Sequence, residues 1–348
     1  MAPTTNVPNS PKESIANIFN SYVAAAAIAA AWEVGLLDQV RAQKVVDINL
    51  FAADHDLHLE STDALVSTLA MVEVLEREGT HSKPGRLLEE AYQTKGLFHW
   101  LALGSGSLFA QTQHALRNEN RKGKYFTRDS AAIALACREA SLQYIDPVFL
   151  DAMGKSGCKF NSAVDLGSGS GERLMQILDR FPRSTGIGID IAGPANKCAT
   201  ADAVRRGYSS RLTFMEGDAR DLSYQDEFTR VDLLTSFLMG HDFWPRENCI
   251  ATLKNLRSIF PNVQRFFLCD TVRILINRPE SRHAVTEDAV PIFTLGFEFG
   301  HALMDQTIPT LEDWEGVFEE GGWRCVKQHH ISPPSLTVLF ELEPLKVE

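Results

Sequence analysis

At 348 residues, 44% of them hydrophobic, the chain has enough apolar side chains for a substantial core and enough length for two domains, which excludes a disordered polypeptide. Acidic residues outnumber basic ones by 45 to 34, and the net charge of -11 opposes attraction to phosphate backbones, so nucleic acid is excluded as a partner. Cys137, Cys158, Cys198, Cys249, Cys269 and Cys325 show no Cys-x-x-Cys spacing, which argues against a disulfide framework or thiolate zinc site and fits a reducing, cytoplasmic setting.

The first residues lack the charged start and apolar stretch of a signal peptide. The longest apolar run, 23–32, is broken by Glu33 and is too short to cross a bilayer, so no membrane span is expected. Residues 12–77 read as helices: an alanine-rich segment through Ala31, then Trp32-Glu-Val-Gly-Leu-Leu-Asp38, then a periodic stretch from Ser61 to Glu78 with Leu65, Leu69, Val72 and Leu75 on one face. This small helical domain carries no basic recognition stripe, so it reads as an oligomerisation and lid module instead of a DNA-binding one. From 111 to 159 the sequence is polar and then helical, with an exposed turn at Arg121-Lys-Gly-Lys124. The expected domains are 1–110, a connection over 111–159, and 160–348.

The third segment alternates apolar strands, near 163–167, 186–190, 211–217, 231–237, 265–270, 323–329 and 335–342, with helices between most of them. That order predicts an α/β fold with a doubly wound seven-stranded sheet. Ile331-Ser-Pro-Pro334 is too short for a parallel crossover, so the last strand is expected to run antiparallel.

The first of these strands ends in Asp165 and leads into a loop with Gly167, Gly169 and Gly171, then a helix, an arrangement that presents backbone to a nucleoside. A dinucleotide fingerprint would need glycine where Glu172 stands, so the spacing favours S-adenosylmethionine over NAD. Asp190 ends the second strand, where an acid can accept both ribose hydroxyls, and Asp218-Ala219 follows the third. Together these motifs resemble those of class I S-adenosylmethionine-dependent methyltransferases. The resemblance implies a cofactor set of Asp165, Gly167, Gly169, Asp190, Asp218, Ala219 and Ser236. The helical segment with its Gly79-Thr-His-Ser turn resembles the winged-helix-like N-terminal domain of small-molecule O-methyltransferases, which implies a homodimer.

Residues following the fourth strand, Leu238-Met-Gly-His241-Asp242-Phe-Trp-Pro-Arg246, should face the cofactor loop. In the O-methyltransferase family a histidine at this place deprotonates the acceptor hydroxyl, and His241 matches it. An imidazole suits that task because it titrates near neutral pH. Plant-type members add a glutamate that orients the base, and no acid clearly takes its place in 300–309. What stands there is His301. "Met-Gly-His-Asp-Phe-Trp-Pro-Arg", "Phe-Thr-Leu-Gly-Phe-Glu-Phe-Gly-His" and "Gly-Glu-Arg-Leu" are similar to the metal-dependent α-keto acid C-methyltransferases related to phenylpyruvate methyltransferase.

That resemblance implies a 2-His-1-carboxylate metal site of His241, Asp242 and His301, suited to non-haem iron, in which a chelated keto acid forms an enolate that takes the methyl group on carbon. It also implies substrate contacts from Arg128, Trp100 and Ser105, the arginine pairing with the carboxylate. Two alternatives stand beside it: a metal-independent O-methyltransferase with His241 as general base, and a pericyclase on the same fold. His329 and His330 are expected to be exposed and to bind nothing.

Overall fold

In the computed structural model, which describes residues 15–122, 126–331 and 336–346, the alanine-rich segment forms one long helix, α1 (Ile15–Glu33). Its 19 residues are long and apolar enough, by length and composition, to cross a bilayer, so the 23–32 run understated the segment. The C-terminal half of α1 packs into a core, burying Ala24, Ala27, Ile28, Ala29, Ala31 and Trp32, where small side chains let neighbouring helices approach closely. Gly35, at φ 77, then turns the chain into the helix Leu36–Gln43.

Strand β1 (Val46–Asp47) ends at Asp47, whose Oδ1 accepts from Asn49 N and Leu50 N and so caps the helix Ile48–Asp54. The stretch expected to be helical to Glu78 stops earlier. Its helix is Leu59–Met71, and Leu75–Glu78 instead forms β2, paired antiparallel with β3 (His81–Pro84). The reason is local: Glu73 and Gly79 both have positive φ, which breaks the helix and makes the hairpin turn. β1 pairs with β3, giving the sheet order β1-β3-β2.

The chain divides into two compact units, one comprising the described residues of Met1–His114 and Phe126–Gln143, the other those of Ala115–Tyr125 and Tyr144–Glu348. The predicted turn 121–124 lies partly outside the described residues.

In the second unit, β4 (Ser162–Leu166), β5 (Thr185–Asp190), β6 (Leu212–Glu216), β7 (Leu233–Phe237), β8 (Arg265–Thr271), β9 (Trp323–Ile331) and β10 (Thr337–Pro344) form a seven-stranded sheet of order β6-β5-β4-β7-β8-β10-β9. All neighbours are parallel up to β8, and β10 runs antiparallel to both β8 and β9. This is the class I methyltransferase fold. Of the expected β9–β10 connection, residues 332–334 lie outside the described residues.

β4 and β7 are buried along their whole length because helices cover both faces of the sheet. One face packs Phe149 edge-on against Phe237 and Phe267; the other gathers Trp314, Phe318 and Phe340, with Trp323 donating Nε1–H to Leu253 O at 3.0 Å. His330 is exposed. His329 is half-buried, with Nε2 3.4 Å from Glu341 Oε2, so it is less exposed than expected.

Candidate active site

The turns that leave β4, β5, β6, β7 and β8 converge at the carboxyl ends of the parallel strands, where open α/β sheets hold their ligands. Gly167, Gly169 and Gly171 have φ of 71°, 50° and 72°, all left-handed. The loop is tied to the next strand: Gly167 N and Ser168 N donate to Ile189 O at 2.8 and 3.1 Å, and Gly169 N donates to Asp190 Oδ2 at 2.9 Å. Asp190 Oδ1 accepts from Ala192 N at 2.8 Å, so one carboxylate fixes both turns. Asp218 is gripped by Arg220, with Nε and Nη2 at 2.9 and 2.7 Å, and this partner holds its carboxyl below the usual range. Ala219 is buried beside it.

Ser168 Oγ and Ser236 Oγ are buried with no hydrogen-bond partner among the described residues. Orphaned hydroxyls beside a left-handed glycine loop fit a polar ligand such as S-adenosylmethionine.

Asp165 lies under this loop, almost fully buried, and accepts from Thr235 Oγ1 at 2.7 Å. Burial pushes its carboxyl up to about 6, while Arg173 and Thr235 pull it back down and Asp146 and Asp190 add to the rise. Arg173, in the Gly-Glu-Arg-Leu motif, stacks 3.4 Å from the Phe237 ring centroid and donates to Asp146 at 3.2 Å. A carboxyl whose folded pKa exceeds its ordinary 3.8 favours the folded state below that value, and the contribution is lost as pH rises through about 6. Asp165→Asn, which keeps the shape without the charge, should therefore make the ligand-free protein more stable than wild type at about pH 7.5, by on the order of 3 kcal/mol, and nearly equally stable near pH 4. Thermal unfolding at both pH values checks this; an advantage of the same size at both would refute it.

Beyond β7, Leu238 adopts φ 55 and donates its N–H to Cys269 O at 2.8 Å, which swings the chain into the 3-10 turn Gly240–Phe243. A Cβ on Gly240 would sit 3.0 Å from Asp270 Oδ2 and 3.1 Å from the Trp314 ring, so glycine here admits the carboxylate. Asp270, fully buried in β8, accepts from His241 N at 2.5 Å and from His241 Nδ1 at 2.9 Å. With Nδ1–H given to Asp270, His241 keeps Nε2 as its basic nitrogen. His301, on the helix Thr294–Leu303, donates Nδ1–H to Phe297 O at 2.7 Å. The two imidazole rings meet edge to face with centroids 5.0 Å apart.

The expected metal triad is not assembled in this arrangement. Among the described residues no three His, Cys, Asp or Glu side chains stand together in a way that could hold a metal ion. The reason is the turn: consecutive residues of a 3-10 turn point about 120° apart, so Asp242 diverges from His241, and its Oδ1 accepts from Gln306 Nε2 at 3.1 Å. The two imidazoles alone have the second-shell bonding of ligating histidines, each Nδ1–H being fixed to an oxygen.

The carboxylate that pairs with His241 is Asp270, which lies outside the 300–309 stretch where an orienting acid was expected. Its signal was an acid ending the apolar run Phe266-Phe-Leu-Cys-Asp270, on the strand beside β7.

The predicted substrate residues belong to the first unit. Trp100 is buried in the π-helical turn His99–Gly104, Ser105 is fully buried with Oγ lacking a hydrogen-bond partner among the described residues, and the Arg128 guanidinium lies 5.6 Å from the Trp100 ring centroid. Asp129 is occupied as the N-cap of the helix Ser130–Ala140.

Residues 163–260 match the family model "Methyltransferase domain". The chain is 58% identical over 333 residues to "Methyltransferase ungE'" of Aspergillus campestris, covering 96% of this chain and 97% of that protein. It is 30% identical over 173 residues, 49% of this chain and 48% of the relative, to "Indolepyruvate C-methyltransferase" of Streptomyces griseus. Among solved structures, "PigF with SAH" superposes with a TM-score of 0.70 at 19% identity, covering 96% of this chain and 99% of that one.

Proposed function

Since the chain belongs to the S-adenosylmethionine-dependent methyltransferases, we propose that it methylates the β-carbon of an α-keto acid, with His241 as proton acceptor and Asp270 as its orienting carboxylate. The observation that carries the reading is the buried His241–Asp270 pair, joined at both ring and backbone. The similarity to an indolepyruvate C-methyltransferase supports the acceptor class. Bound S-adenosylmethionine would supply an electrophilic methyl group. Asp190 and the glycine loop orient the nucleoside, and Asp165 with Arg173 sets the charge beneath it. His241 Nε2 takes the proton whose loss makes the β-carbon nucleophilic, and the adjacent Asp270 charge stabilises the imidazolium that forms.

The approach of His241 and His301 favours a second reading, in which the two histidines and Asp242 hold a divalent metal after Asp242 leaves Gln306. An assay with labelled cofactor and a panel of aryl and alkyl α-keto acids, run before and after exhaustive chelation, separates these. Label on the β-carbon is expected. Turnover that survives chelation leaves His241 as the base, whereas turnover lost to chelation and restored by metal moves it to a ligand; transfer only to hydroxyls of phenolic controls overturns the keto acid assignment.

The same premise extends to assembly, proposed as a homodimer in the cytoplasm. Ile15, Ile18, Phe19 and Tyr22 are exposed at helical spacing on α1, an apolar stripe that a second copy of the chain would cover. Phe19→Glu is expected to halve the solution mass without unfolding the protein. Light scattering checks it, and an unchanged mass would remove α1 from the interface.

A further inference from the structure

The opposite edge of the sheet, at the amino ends of the parallel strands, carries a cleft of about 720 Å³ that methyl transfer does not use. Lys159 precedes β4, Arg257 projects from the helix Arg246–Ile259, Arg265 opens β8, Arg324 lies on β9 and Lys346 follows β10, with Glu343 as the lining acid. Two of these cations are balanced. Arg265 pairs with Glu343 at 2.7 Å and Glu341 at 3.3 Å, and Arg324 pairs with Glu343 at 2.6 Å. Among the described residues no acid pairs with Arg257, Lys159 or Lys346. Arg257 is half-buried near the Trp323 ring, and burial lowers its pKa with no acid opposing the shift. Arg265 Nε is buried with no hydrogen-bond partner among the described residues, although its other nitrogens are paired.

A cluster of uncompensated cations is costly in proportion to its burial, and it is unexpected in a chain of net charge -11 unless an anion completes it. We propose that this cleft binds a phosphate-bearing small molecule, with Arg257 as the oriented guanidinium, the unpartnered Nε–H of the otherwise paired Arg265 beside it, and Lys159 and Lys346 as the outer charges. Guanidinium forks match phosphate oxygens pairwise, and the ammonium groups add charge without fixed geometry. The volume falls within the roughly 300–1,000 Å³ of small-molecule sites, which suits a phosphate monoester or diphosphate group carried on a larger body better than a bare ion.

Calorimetry on the full chain, saturated with S-adenosylhomocysteine so that the nucleoside site is filled, tests this with inorganic phosphate, pyrophosphate and AMP as separate probes. Pyrophosphate or AMP is expected to bind at one site per chain, at least about tenfold more weakly in Arg257→Gln and in Lys159→Ala, and more weakly as salt is raised. Lys159 is exposed, so its variant keeps the test informative if Arg257→Gln fails to fold. Methyl transfer should be unchanged in Lys159→Ala, which separates this site from the proposed active site. No saturable binding of any probe, or equal affinity in wild type and a folded variant, would overturn the proposal.

Discussion

Replacing His241 with alanine is expected to slow methyl transfer roughly 100- to 10,000-fold while cofactor affinity stays near that of wild type. The split follows from position. Asp190, Asp218 and the glycine loop, the residues proposed for the nucleoside end, lie after β4, β5 and β6, whereas His241 stands beyond β7 on a turn fastened to β8. Losing the imidazole removes the proposed proton acceptor and leaves the loop's own bonds untouched. Asp270→Asn should fall between the two, because an amide can occupy the same space but carries no charge to stabilise the imidazolium and no second oxygen for the backbone N–H. Added imidazole should restore part of the alanine variant's rate. A variant that binds cofactor normally and turns over at the wild-type rate would remove His241 from the chemistry.

Gly171→Ala is expected to abolish measurable cofactor binding and to lower stability. Two separate penalties meet at this residue. Its φ of 72° is left-handed, which costs a non-glycine residue roughly 1–3 kcal/mol, and the new Cβ would overlap Phe214 Cζ and lie 3.6 Å from Ala199 Cβ. Relieving the overlap displaces either the Phe214 ring or the start of the helix Glu172–Arg180, and the second movement carries with it the loop proposed to face the nucleoside. Phe214→Leu in the same chain should recover much of the stability and little of the binding, since it opens space without changing φ. Thermal unfolding and cofactor titration on the single and double variants read the two parts separately; a single variant that binds normally would show that the loop tolerates displacement.

The parallel core of the fold was legible because its strands are continuous apolar runs of β-branched and aromatic residues punctuated by glycine and acid, and each signal lies within one segment. β7 and β8 begin and end within two residues of their expected bounds. The stretch 61–78 was not, because Leu65, Leu69, Val72 and Leu75 suit a helical face up to Val72 while Leu75 is the inward residue of a strand. Periodicity cannot see the positive φ at Glu73 that separates them. In the candidate site, the glycines, Asp165, Asp190 and His241 were legible as single residues at strand ends. Pairings were not. Asp270 reaches His241 only because β7 and β8 are adjacent and in register at Phe237 and Cys269, a relation that spans about one strand-helix-strand unit and leaves no mark within either segment. Asp242, next to His241 in sequence, was expected as a metal ligand, and the orienting acid was expected within 300–309, whereas the carboxylate on His241 comes from Asp270.

The double attachment of His241 to one carboxylate gives the protein a built-in clock. The backbone N–H and the ring N–H both end on Asp270, so an opening that exposes the amide to solvent breaks the ring's support in the same event. Amide exchange at residue 241 therefore times how often the imidazole loses its aim, in an irregular turn where exchange would otherwise be fast. Ligands that slow this one amide do so by holding the pair shut, and their rank order could be read without following any product.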